Sequence, residues 1–173
     1  MEALLVGITL AAAIAVALLI RKKISKQNTH YDERQLMLRA AGYRIGFIGT
    51  IAAVFVLIFL YSFDGGIEDV IEPALSMFIA VMIGIVVFAV YCIRKGAFLQ
   101  INANGNSYII LLLVIIVLNG ALGIWRMVDG TLWENGVMMF TRGGSNLVLA
   151  IGFFIVLVAL LADNTRRKGE AAE

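Results

Sequence analysis

The chain has 173 residues but only one cysteine, one histidine and one proline. A lone Cys92 cannot close an internal disulfide, and as a single small hydrophobe it reads as buried filling. A lone His30 excludes a paired-imidazole metal site. No cysteine cluster, His-Glu-x-x-His helix or Gly-x-Ser-x-Gly elbow occurs. Asp32 and Glu33 are adjacent, so on a helix they diverge and cannot act on one bond as an acid–base pair. Ionisable residues are absent from the middle of every long apolar run, and proton-coupled transporters need such groups. These absences point to a non-enzymatic protein with no metal and no cofactor.

The chain has apolar residues in excess, 61% in all, against about 45–50% for a soluble domain. The excess is gathered into five runs of ~17–20 residues free of Lys, Arg, Asp and Glu, each long enough to cross a hydrocarbon core as a helix. They are Ala3–Ile20, Ile45–Phe63, Ala74–Ile93, Ser107–Trp125 and Asn146–Ala162. The fold class expected is all-α: a single membrane domain, 1–173, of five transmembrane helices. An odd number of spans gives no two equal inverted halves, against a common transporter plan.

Basic charge sets the expected orientation. Of the 14 Lys and Arg residues, all but Arg126 and Arg142 lie in 21–44, at Arg94-Lys95, or at Arg166-Arg167-Lys168. The loop "DGGIEDVIEP" carries acids and no base. The positive-inside rule then places the N-terminus outside and the C-terminus in the cytoplasm. The acidic start Met1-Glu2 and the basic "RKK" directly after the first run argue for an uncleaved first helix. The net charge of +2 gives no reason to expect direct nucleic-acid binding.

Small residues mark packing faces: Ala3, Gly7, Ala11 and Ala15 on the first run, Gly42, Gly46 and Ala53 around the second, Ser76, Ala80 and Gly84 on the third. Packing within the chain is the first reading and a homo-oligomer the second. Pro73 suits a first helical turn. Asn106 or Ser107 is expected to cap the fourth run. "TLWE", Thr131 to Glu134, has capping-box spacing and suggests a short segment lying on the outer interface, with Trp133 at headgroup level. Asn119 is the polar exception inside the runs. It is expected to bond across helices, or else to line a ligand cleft with Thr50 or Thr9.

The charged segment 21–44 breaks the apolar pattern. Thr29 and Asp32 have capping-box spacing, so a helix is expected to start near His30 and run on into the second apolar run. Asp32 and Arg39 share a side of it, and with Glu33 and Arg34 they could form an ion-pair cluster. The first reading is a folded linker whose charges pair with each other, with helix ends and with lipid headgroups; the second is a docking surface. In the docking reading, Asp32 and Arg39 are structural, while Glu33, Arg34 and Gln35 face a partner. The basic lead-in "RKKISK" would attract anionic lipid.

The stretch "YDERQLMLRAAGYR" resembles a loose group of small, uncharacterised bacterial multi-pass membrane proteins with a cytoplasmic Tyr-Asp-Glu-Arg-Gln motif. Tyr31, Asp32, Glu33, Arg34, Gln35, Arg39, Tyr43 and Arg44 match the pattern. "RAAGYR" departs from its usual Arg-Gly-Lys-Ala-Tyr-Lys, with the small residue shifted and the middle lysine lost. The resemblance implies no enzyme activity. Such proteins are often associated with helix-turn-helix regulators, so the resemblance favours a regulatory or self-protection role. The function expected is that of a bacterial plasma-membrane protein of regulatory or accessory type, docking a cytoplasmic regulator or membrane partner through the Tyr31–Arg44 segment. The alternative is a small transporter or immunity-type protein that binds a lipid or peptide among its helices.

Overall fold

The computed structural model describes residues 30–63, 66–101 and 103–170, with side chains to 166. The first apolar run, Thr29 and the basic lead-in lie outside the described residues. The fold is all-α, with four long helices among the described residues: α1 Glu33–Tyr61, α2 Pro73–Arg94, α3 Gly105–Val128 and α4 Ser145–Glu170. Each is long and apolar enough to cross a membrane, α4 together with the turn before it.

In space the helices follow the order α1, α2, α4, α3. The apolar core, Ala89, Ile93, Leu112, Val156, Leu157 and Leu160, lies among α2, α3 and α4. α1 sits at the edge and packs on α2 through the expected small residues. A Cβ on Gly46 would stand 2.8 Å from the Gly84 carbonyl oxygen, and one on Gly42 would stand 2.9 Å from Cys92 Sγ. A Cβ on Gly84 would collide with Thr50 Oγ1. Backbones this close exclude any side chain between them, which is how helices gain dispersion contact in lipid. Cys92 is fully buried in this seam.

Three local expectations are corrected by the structure. The helix of the charged segment starts at Glu33, and its N-cap is Asp32. The capping box is Asp32 with Gln35, three residues later than the Thr29–Asp32 pair. α3 is capped by Asn104 rather than Asn106 or Ser107, its side chain accepting from the Asn106 N–H at 3.0 Å. "TLWE" does not open a helix. Trp133–Glu134 and Val137–Met138 form a hairpin, because Asn135 (φ 52°) and Gly136 (φ 87°) both take the left-handed conformation that a tight two-residue hairpin turn needs.

That hairpin stitches the far end of the bundle. Met138 exchanges backbone bonds with Val70 and Glu72. The Glu72 carboxylate accepts from the Phe140 N–H at 2.6 Å, at the start of the π turn Phe140–Gly144 that leads into α4. Glu134 pairs with Arg142 at 3.0 Å.

Candidate functional site

α1 has 29 residues, or about 44 Å of helix, against a hydrocarbon core of ~30 Å. Roughly three turns therefore project beyond the apolar stretch, and they carry the charged motif. Opposite them, α2 ends in a Schellman motif. Gly96 takes φ 68°, its N–H bonds the Ile93 carbonyl at 3.0 Å, and the Ala97 N–H bonds that of Cys92 at 2.8 Å. This turns the next four carbonyls toward α1.

The motif collects all four. Gln35 Nε2 donates to the Gly96 carbonyl at 3.0 Å and to that of Leu99 at 3.1 Å. Arg39 Nη1 donates to the Ala97 carbonyl at 3.4 Å. The Tyr31 hydroxyl donates to the Phe98 carbonyl at 3.3 Å. Just before the motif, the Ile101 N–H bonds the His30 carbonyl at 2.9 Å. Gln35 is buried, and its remaining oxygen accepts from the Asp32 N–H at 3.3 Å. One amide thus closes the capping box and clamps a loop more than sixty positions away.

Arg39 is the second organiser. Its guanidinium lies 4.4 Å over the Tyr31 ring and 5.6 Å from that of Phe88, and it donates to the Tyr31 and Tyr43 hydroxyls. Tyr43 in turn stacks on Phe88 at 4.4 Å. Burial raises the Tyr31 phenol above its ordinary pKa, with the Arg39 charge opposing. Tyr31 therefore stays protonated at neutral pH and keeps its donor.

The expected ion-pair cluster is not formed. Among the described residues, no salt bridge joins Asp32, Glu33, Arg34 and Arg39. Asp32 is occupied as a cap, and Arg39 is occupied by rings and carbonyls. A helical wheel does not apply to Asp32, which is the extended N-cap before the helix, and it could not show the loop that Arg39 meets. Reversing both charges, Asp32→Arg with Arg39→Asp, is therefore expected to give no rescue. A double-mutant cycle on melting should show coupling below about 0.5 kcal/mol.

The eight motif residues thus separate into two sets. Tyr31, Asp32, Gln35 and Arg39 turn to the loop or the helix start, with Tyr43 stacked beside them. Glu33, Arg34 and Arg44 are exposed. Gln35, expected to face a partner, points inward. Asn119 donates to the Ile115 carbonyl of its own helix at 2.9 Å, so this amide bond is intrahelical rather than interhelical. Thr50 bonds its own Gly46 carbonyl within the α1–α2 seam, and Thr9 lies outside the described residues.

One feature absent from the sequence reading is a cavity of about 400 Å³ beside the clamped loop, with both polar and apolar lining. Gln35, Leu99, Gln100, Asn104, Asn106 and Asn164 are among the residues that line it. The amide-rich run "QINANGNS" was its only sequence signal, and it reads equally well as a turn.

No known protein family matches the chain, and no curated protein or solved structure is significantly similar to it.

Proposed function

We propose that this chain is a non-enzymatic, multi-pass protein of the bacterial plasma membrane. In this reading it is regulatory or accessory in type and docks a cytoplasmic or membrane partner through the outer face of Tyr31–Arg44. The observation that carries the reading is the division of the motif. Its inner residues hold a loop, while Glu33, Arg34 and Arg44 are left outward on a projecting helix. Leu36 and Met37 stand beside them, 54% and 70% exposed. Charge flanking exposed apolar side chains suits a protein interface, where apolar anchors sit within a polar rim. Arg94, Lys95 and Arg166 lie at the same end, which supports its placement in the cytoplasm.

Glu33→Lys and Arg34→Glu are expected to melt like wild type but to lose partners recovered by crosslinking in native membranes. Recovery should also fall with salt, as exposed charge pairs are screened. Variants that recover the wild-type set of proteins would defeat the docking reading.

The cavity supports a second reading, a protein that binds a lipid or peptide among its helices. Its opening lies at the same end of the bundle as the motif, and Gln35 is common to both.

A further inference from the structure

The cavity lies between the last turn of α2, the first turns of α3 and the end of α4, where the apolar stretches of these helices end. Its floor is apolar: Phe98, Ile109, Ile93 and Leu160, the last two also members of the main core. Its rim is amide. Asn104 uses its oxygen as a helix cap and keeps its NH2 group. Among the described residues, the side chains of Gln100, Asn106 and Asn164 have no hydrogen-bond partner.

The charge of the lining narrows the ligand. Among the described residues no Lys or Arg lines the cavity, so an anionic head would find no counter-charge from them. Asp163, the one lining carboxylate among the described residues, is paired with Arg166 at 3.5 Å, so a cationic head would have to displace a guanidinium. Carboxamides offer both donors and an acceptor, which matches hydroxyl groups, themselves donors and acceptors. A volume of about 400 Å³ falls within the range of small-molecule sites.

We infer that the cavity takes the uncharged, polyhydroxyl head of a membrane lipid of the glycosyl-diacylglycerol kind. The sugar sits against the amides of Asn106, Asn164 and Gln100, and the acyl chain starts over Ile109 and Leu160. This inference rests on the second reading above and names its ligand class. The motif contributes by holding the loop that forms one wall.

The test uses the full chain in phosphatidylcholine nanodiscs, titrated with monoglucosyl-diacylglycerol, phosphatidylglycerol or phosphatidylethanolamine, and read by native mass spectrometry and thermal shift. The glycolipid is expected to bind best. Asn106→Leu and Asn164→Leu should each weaken it about tenfold, the loss of one well-made hydrogen bond. Both positions are exposed, so melting without lipid should be unchanged; Gln100→Leu replaces either variant that melts early. Equal or tighter binding of a charged lipid, with the same sensitivity to the variants, would overturn the head-group class and leave the cavity reading standing. Binding of no lipid that depends on these residues would overturn both.

Discussion

Gln35→Glu is expected to destabilise the protein by about 2–4 kcal/mol, although local helix physics favours it. Glutamate is the usual partner in a capping box, and a negative charge in the first turn complements the helix dipole by ~0.3–1 kcal/mol. The long-range contacts oppose this and are larger. Gln35 Nε2 donates to two carbonyls, those of Gly96 and Leu99. A carboxylate cannot donate, so both bonds are lost and an anion faces two carbonyl oxygens. Each lost bond that leaves a buried group unsatisfied costs about 1–3 kcal/mol. Melting in detergent checks the sign. Gln35→Glu should also melt below Gln35→Ala, which removes the bonds without adding the repulsion.

The second large effect is expected in the α1–α2 seam, where two glycines three residues apart should respond differently. Gly46→Ala places a methyl group 2.8 Å from the Gly84 oxygen and 3.0 Å from Phe88 Cβ. The first of these is backbone, so α1 must move away, at about 1–3 kcal/mol. Gly49→Ala meets Val87 at 3.7 Å, an ordinary contact. Its better helix propensity should leave stability level or raise it by up to ~1 kcal/mol. Equal effects of the two substitutions on unfolding in mixed micelles would show that the glycine seam is not the packing surface.

Much of this seam was legible in the sequence, because membrane packing leaves a periodic trace. Gly42, Gly46, Ala80 and Gly84 recur at helical spacing on their runs, and Pro73 marks a helix start that the structure places at the same residue. Long runs without charge gave four helices for the same reason, since only a helix satisfies its backbone in lipid.

Contacts between distant segments leave no such trace. The partners of Gln35 are backbone carbonyls more than sixty positions away, and a carbonyl has no residue type to recognise. Asp32 and Arg39 are seven apart in sequence, yet Asp32 is the extended cap before the helix and Arg39 goes to aromatic rings and the loop. The hairpin had a readable signal in Asn135-Gly136, but the capping-box spacing of Thr131 and Glu134 competed with it. Asn104, Asn106 and Ser107 all favour caps, and spacing alone does not choose among them.

The central claim is that the Tyr31–Arg44 motif has an inner set that holds the loop and an outer set left for docking. Alanine substitution at each motif residue, followed by thermal or denaturant unfolding of the purified protein, tests it most directly. Tyr31→Ala, Gln35→Ala and Arg39→Ala are expected to lose about 1–3 kcal/mol each. Glu33→Ala, Arg34→Ala and Arg44→Ala should stay within about 0.5 kcal/mol of wild type. An outer set that destabilises as much as the inner one, or an inner set without effect, would contradict the division on which the reading stands.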